Sequence, residues 1–151
     1  MGKVTNMKLR NRIAGVCALC GVAVSATAET VEYWDPVGKV TNSVEAVVVT
    51  ASTATLTGGW YVVTGEVSRT TQINVTGTDE APANLILADG AKLTVDLTRN
   101  DSRVDHCAAL HVPTGKALSI WATREGGTGA IEATGRYQGA GIGGQADDGS
   151  V

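Results

Sequence analysis

The stretch Leu85-Ile86-Leu87-Ala88-Asp89-Gly90-Ala91-Lys92-Leu93-Thr94-Val95 decides the fold. It contains two short apolar runs joined by a turn that carries a glycine. The outer residues of each run are large and aliphatic, so they lie on one face of an extended strand. Burying one such side chain stabilises a fold by about 1.5–3 kcal/mol, and the gain accumulates only when several strands stack. These faces are therefore the predicted core.

A second stretch has the same pattern. Leu110–Ile120 superposes on Leu85–Val95 without gaps, so that Gly90 matches Gly115 and Leu93 matches Leu118, 25 positions on (118 − 93). A period in this range is typical of a solenoid, in which the next coil covers the apolar face of the one before. The alternative is that the two stretches are similar hairpins of an ordinary β-sandwich.

Other segments from residue 44 onward also have strand length and apolar character. The runs are Val44–Val49, Trp60–Val63, Gln72–Val75, Leu85–Leu87, Leu93–Val95, Leu110–Val112, Leu118–Trp121 and Ile131–Ala133. Apolar residues do not recur at three- and four-residue spacing over a dozen positions, so we predict no helix in this part. The 19 glycines and the absence of phenylalanine also favour strands and tight turns. The predicted class is all-β.

The amino-terminal residues are typical of a signal peptide rather than of a fold. A basic start is followed by an apolar run, Ile13–Val24, and by the small-residue cleavage pattern Ala26-Thr27-Ala28. We therefore expect a signal-peptide helix over residues 1–28, cleavage after Ala28, and a secreted or cell-surface protein. The run is shorter than the ~20 residues that span a bilayer, so no stable membrane insertion is expected after cleavage. The alternative is an uncleaved tethering helix.

The mature chain is predicted to have an irregular segment at residues 29–43 and one domain at residues 44–151. Cleavage would leave Cys107 as its single cysteine, so stability must come from a core and from backbone pairing. The formal net charge of −3 argues against nucleic acid as a partner, because phosphates require clustered Lys and Arg. Neutral glycans and divalent cations remain compatible with this charge.

Four ordered motifs resemble a group of large bacterial secreted or surface proteins, common among gut anaerobes and described as carbohydrate-binding or adhesin-like. The motifs are Thr57–Gly65, Asn84–Gly90, Leu118–Ile120 and Gly139-Ala140-Gly141-Ile142-Gly143-Gly144, which together cover about residues 53–151. The resemblance implies a right-handed parallel β-helix. Because the glycine motif occurs once and no polar cap follows, we expect a segment open at its carboxyl-terminal end and prone to self-association, the first part of a longer solenoid.

Aromatic side chains on a flat β surface suit sugars, because the apolar face of a pyranose packs on them. Trp60 and Tyr61 are adjacent on one strand, so one of them is predicted to point inward. Trp121 is predicted to face away from Ile120, and we select Trp121 and Tyr137 as the candidate ligand-binding residues.

Carboxylates concentrate between residues 96 and 105. Asp96, Asp101 and Asp105 are candidate ligands for calcium, the one cofactor the sequence suggests, with a solvated loop as the alternative. His106, Cys107 and His111 fit no standard zinc spacing, and we interpret the cysteine as a buried apolar residue and the histidines as loop or surface residues. Residues 139–144 have the glycine spacing of a dinucleotide-binding fingerprint. Such a site also needs a helix after the glycines, and no helical stretch is predicted there, so we interpret the motif as a tight turn.

No constellation of catalytic residues is recognisable, so we expect a non-enzymatic structural or adhesive module that contacts an extracellular polysaccharide or a cell-surface glycan. The alternative is a fragment of a β-helical polysaccharide lyase or glycoside hydrolase. Lyases commonly use Arg or Lys as the base, and Arg99, Arg103 and Arg124 are available for that role.

Overall fold

The computed structural model describes residues 27–99, 107–137 and 139–145, without the side chain of Arg99. The predicted signal-peptide segment lies outside the described residues up to residue 26. The described part is all-β, as predicted, with one 3-10 turn at Leu97–Arg99. Its strands are β1 Ala28–Asp35, β2 Val40–Val48, β3 Thr55–Leu56, β4 Gly59–Val63, β5 Glu66–Arg69, β6 Ile73–Val75, β7 Ala83–Leu87, β8 Lys92–Asp96, β9 Leu110–His111, β10 Leu118–Ala122, β11 Ala130–Thr134 and β12 Ile142–Gly143.

The strands form three sheets, which the chain visits in turn. The first sheet has the order β1-β2-β4-β7-β10, the second β11-β8-β5, and the third β12-β9-β6-β3. From β4 onward, three layers follow one another, β4–β6, β7–β9 and β10–β12, and each layer gives one strand to each sheet. Every pairing between layers is parallel. Neighbours in sequence therefore lie in different sheets, and neighbours in a sheet come from successive layers.

The eight predicted apolar runs all coincide with strands, whereas β1, β3, β5 and β12 were not predicted. The two glycine turns also have the expected conformation, with φ of 71° at Gly90 and 72° at Gly115. Each turn is a corner between two sheets: β7 leads to β8 in the second sheet, and β9 leads to β10 in the first. The alternative of two sandwich hairpins is therefore wrong, because the strands flanking each turn do not pair.

The predicted 25-residue register is also wrong. Leu93 pairs with Val67 and Ile131 in the second sheet, whereas Leu118 pairs with Ala83 in the first. The sequence match superposed the corner between β7 and β8, within one layer, on the corner between β9 and β10, where the chain passes to the next layer. The true spacing is unequal because the connection between β8 and β9 occupies residues 97–109, whereas β5 and β6 are separated only by residues 70–72.

The core lies between the three sheets and is formed by the inward residues of each layer. Leu85, Leu93 and Leu110, one from each sheet of the middle layer, are completely buried. Ile120 pairs with Leu85 and Ile142 pairs with Leu110, yet they are 46% and 43% exposed. The inward positions of the last described layer are therefore only partly covered.

Residues 29–43, predicted to be irregular, instead belong to an antiparallel hairpin in which β1 pairs with β2 along its whole length. The hairpin forms because apolar residues alternate on one of its faces, where Val31 pairs with Val44 and Tyr33 continues the row. Its turn is closed by the amide of Val37, which donates to Asp35 Oδ1 at 2.9 Å, and by Lys39 at a φ of 51°.

The hairpin covers the outer face of the first sheet. Val62 of β4 and Ile86 of β7 point away from the main core, but both are completely buried because they form a second apolar cluster with Ala46. Val31, Tyr33, Val44, Val48, Trp60 and Trp121 pack against this cluster. Backbone pairing of the hairpin to β4 is short, with Val47 opposite Tyr61 and Val48 opposite Val62. Side-chain packing thus supplies most of the attachment.

The different coverage of the layers predicts that substitutions at two inward positions will have very different effects on stability. Leu93→Ala should lower the free energy of unfolding by about 2–5 kcal/mol, because it leaves a cavity in a fully covered layer. Ile120→Ala should cost less than about 1 kcal/mol, because much of that side chain is already in water. Urea unfolding followed by circular dichroism measures both, and equal losses would contradict this description of the core.

Candidate functional site

Three aromatic rings meet on the outer face of the first sheet. The centroid of Tyr33 lies 4.4 Å from that of Trp60 and 5.1 Å from that of Trp121, and the two indoles are 5.8 Å apart. All three side chains are half-buried. We call these three residues the aromatic cluster. It contains Trp121, one of the two predicted ligand-binding residues.

Strand alternation places the two indoles side by side. Tyr61 points into the main core, where its hydroxyl accepts a 2.9 Å hydrogen bond from the amide of Thr57, so its neighbour Trp60 points outward. Trp121 follows Ile120 and also points outward, as predicted. The two strands that carry the indoles, β4 and β10, flank β7. Tyr33 comes from the hairpin and covers the pair, so Trp121 is less exposed than the sequence led us to expect.

Asn84 of β7 holds the indole of Trp121 in place. The indole Nε1 donates to Asn84 Oδ1 at 3.1 Å, and Asn84 Nδ2 donates to the carbonyl of Pro82 at 3.1 Å. With both ends of the amide engaged, the orientation of the ring is determined by the backbone of the neighbouring layer. This contact was not predictable from local sequence patterns, because Asn84 and Trp121 belong to different layers.

Tyr137, the second predicted ligand-binding residue, does not join the aromatic cluster. It follows β11, is 71% exposed, and adopts a φ of 52°. Its ring lies 5.2 Å from the guanidinium carbon of Arg136. No ring contact connects it to Trp121 within the described residues, so the two predicted residues do not form one site.

Of the predicted calcium ligands, Asp96 alone is described, since Asp101 and Asp105 lie outside the described residues. Asp96 Oδ1 accepts hydrogen bonds from the amide and the hydroxyl of Thr98, at 3.0 and 2.6 Å, and so begins the 3-10 turn. In the described part of the chain, no group of three His, Cys, Asp or Glu side chains is arranged to hold a metal ion.

The His/Cys cluster is described in part. Cys107 is half-buried and packs against the main core, which fits its interpretation as an apolar residue, while His106 lies outside the described residues. His111, predicted to be a loop or surface residue, is instead buried in β9, and its Nδ1 lies 3.3 Å from Asn74 Oδ1. This position follows from parallel pairing, which sets β9 directly beside β6.

The glycine motif at residues 139–144 has a packing role. A Cβ at Gly139 would lie only 2.0 Å from the carbonyl oxygen of Cys107, so a side chain does not fit there. Ile142 and Gly143 form β12, and no helix follows in the described residues up to Gln145. The motif therefore brings two backbone segments into close contact and lacks the helix on which a dinucleotide site depends.

Two arginines make specific contacts that the sequence did not indicate. Arg69 is an inward residue of β5, in the layer formed by β4–β6. It is buried and donates to the carbonyls of Ala51 and Thr53. Burial lowers the pKa of its guanidinium from the ordinary value, but these carbonyls compensate for the lost water. Arg124 forms a salt bridge with Asp89, next to the corner at Gly90.

Asp89 joins the corner after β7 to the loop between β10 and β11. Its Oδ1 accepts a 3.0 Å hydrogen bond from the amide of Thr128, and its Oδ2 accepts one from Arg124 Nε. Thr128 Oγ1 in turn accepts from the amide of Gly90 at 3.0 Å. The hydrogen bond from Thr128 and that from Arg124 hold the pKa of Asp89 below its ordinary value of 3.8.

No known protein family, curated protein or solved structure matches this chain significantly. Among the described residues, none forms a helix with the length and apolar character needed to cross a membrane. The candidate site therefore depends on the geometry of the aromatic cluster alone.

The contacts of Asp89 predict a specific pH dependence of stability. Because the pKa of Asp89 is lower in the folded than in the unfolded chain, its contribution is complete above the unfolded value, near 4, and is lost as pH falls through the folded value. Chemical unfolding should be measured at several pH values between about 2 and 6. The free energy of unfolding of the wild type should exceed that of Asp89→Asn, and this difference should narrow below about pH 4. A difference in free energy of unfolding that is independent of pH would contradict the assignment.

Proposed function

We propose that this chain is an exported, non-enzymatic module of right-handed parallel β-helix architecture that acts as a structural or adhesive element at the cell surface and contacts neutral glycans. The observation that carries the proposal is the cyclic order of the three parallel sheets, with one strand of every layer in each sheet. Stacked layers of this kind form an extended surface when they repeat, which suits a stalk or a surface that binds extended polymers.

A general rule supports the right-handed sense of the proposed architecture. Connections between parallel strands of one sheet are right-handed in about 98% of cases, because the twist of the strands favours that path. The connections from β4 to β7 and from β7 to β10 are of this kind. The glycine corners and the ordered motifs shared with bacterial surface proteins support the same architecture.

Export is supported by the basic and apolar segments before Ala28. Ala28 is the first residue of β1, so cleavage after it would remove one of the eight residues of that strand. The hairpin would retain the apolar pairs that bind it to the first sheet. A secreted or cell-surface location is thus compatible with the described fold.

The aromatic cluster supports the glycan-binding part of the proposal. It presents two indoles on one face of a sheet, and the chain carries a net charge of −3, which favours a neutral over an acidic polymer. The alternative of a polysaccharide lyase gains less support. Arg124, one of the three arginines proposed as its base, is bound to Asp89, while Arg103 and the side chain of Arg99 lie outside the described residues.

Retention on polysaccharides tests the binding function. The exported protein should be retained on a column of at least one neutral polysaccharide, and Trp121→Ala should reduce retention severalfold because it removes half of the indole pair. Trp34→Ala is the matched control, since Trp34 lies on the opposite face of the hairpin and should leave retention unchanged. The absence of retention on any glycan would leave only the structural role, and release of unsaturated ends from pectin would favour the lyase.

Self-association tests the open end of the solenoid. Ile120 and Ile142 are half exposed, and β10, β11 and β12 each lie at the edge of a sheet in the described part. We expect a second copy to cover this end, so the mean mass in light scattering should rise with concentration. The double variant Ile120→Lys/Ile142→Lys should remain monomeric, whereas Val37→Lys, at an equally apolar but 92% exposed turn position, should behave as the wild type. A wild type that is monomeric at all concentrations would contradict this expectation.

A further inference from the structure

The ring of Tyr33 packs against both indoles. Its centroid lies 4.4 Å from that of Trp60 and 5.1 Å from that of Trp121, and it is tilted by 34° against Trp60 and by 68° against Trp121. Because Tyr33 belongs to the β1–β2 hairpin, it reaches the indoles from the hairpin that packs over β4 and β7. The chain thus places one of its own rings, about the size of a pyranose, against the indole pair.

The hairpin that carries Tyr33 is attached unevenly. At its base, Val47 and Val48 pair with β4, and the amide of Val48 donates to the carbonyl of Thr27 at 2.9 Å. Tyr33 pairs with Asn42 near the other end, close to a turn in which Val37 is 92% exposed. The distal end is therefore held to the sheet by side chains rather than by a backbone ladder.

We propose that the distal end of the β1–β2 hairpin is a lid, and that displacement of Tyr33 opens the indoles of Trp60 and Trp121 to the apolar face of a sugar ring in a neutral glycan. This inference rests on the proposed function and names its binding surface and its regulation. Lifting the distal end breaks the two ring contacts and the packing of Tyr33 on the second apolar cluster, while the pairing of Val47 and Val48 with β4 persists.

The surroundings of the indole pair select the class of ligand. Asp35 lies on the same face of β1 as Tyr33, two residues further along the strand, and its negative charge disfavours an acidic polysaccharide. Asn84 keeps the indole of Trp121 in position whether or not Tyr33 is present, because its partners lie in β10 and in the backbone before β7. The indole of Trp121 is therefore already oriented before Tyr33 moves.

Fluorescence titration with a defined hexasaccharide tests the lid. The chain has three tryptophans, so in a Trp34→Phe background the signal comes from Trp60 and Trp121 alone. In that background Tyr33→Ala should bind cellohexaose or mannohexaose roughly tenfold more tightly than the parent, since two lost ring contacts of this kind amount to about one such factor. Hexagalacturonic acid should bind neither form.

Three further variants make the result decisive. Tyr33→Val should repeat the gain while it retains strong β propensity, which guards against a variant that merely fails to fold. Trp121→Ala added to Tyr33→Ala should abolish binding. Glu132→Gln, an exposed position of β11 in the second sheet, should leave the affinity of the parent unchanged.

Each remaining outcome overturns the lid. Equal affinities of the parent and both Tyr33 variants would show that glycans bind elsewhere, and the proposed adhesive function would survive through retention on polysaccharide. Binding that persists without Trp121 would exclude the indole pair as the surface. Failure of every variant to bind any neutral hexasaccharide, together with a lack of retention on polysaccharides, would overturn both the lid and the glycan-binding function.

Discussion

The burial of inward aliphatic side chains between successive parallel layers is the constraint on which the rest of this structure depends. Leu85, Leu93 and Leu110 are completely buried because residues of the layer above and of the layer below lie against them. A layer alone has only short strands of two to five residues and could not bury its own apolar face. Stability is thus shared between neighbouring layers, and in the last layer of the described residues Ile120 and Ile142 remain partly exposed.

The same constraint explains why the outer face of the first sheet is unusual. Val62 and Ile86 point outward from a parallel sheet, where polar residues would be expected, and they are buried only because the β1–β2 hairpin lies over them. The hairpin in turn needs that face, because an isolated two-stranded ribbon is marginal in water. The two elements therefore stabilise each other, and the aromatic cluster forms at the rim of their contact.

Local patterns in the sequence predicted the local features of the fold. The alternation in Leu85–Leu87 and Leu93–Val95 identified strands and their buried faces, and glycine identified the corners at Gly90 and Gly115. The register between layers was not predictable in this way. A match between two corners says nothing about which sheets they join, and the long connection over residues 97–109 shifts every later strand against the earlier ones. The hairpin was missed because its charged and polar residues, such as Glu29 and Glu32, masked the alternation of Val31 and Tyr33.

The candidate site could also be predicted only in part, because local strand patterns are visible in the sequence and contacts between distant segments are not. Strand alternation correctly predicted that one of Trp60 and Tyr61 points inward, without indicating which, and it turned Trp121 away from Ile120. It could not bring Tyr33 onto the two indoles, because that contact depends on how a hairpin folds back over a sheet. A ring that covers a stacking surface stabilises the free protein and competes with a ligand at once. The contacts that complete the second apolar cluster are consequently also the ones that would control access to it.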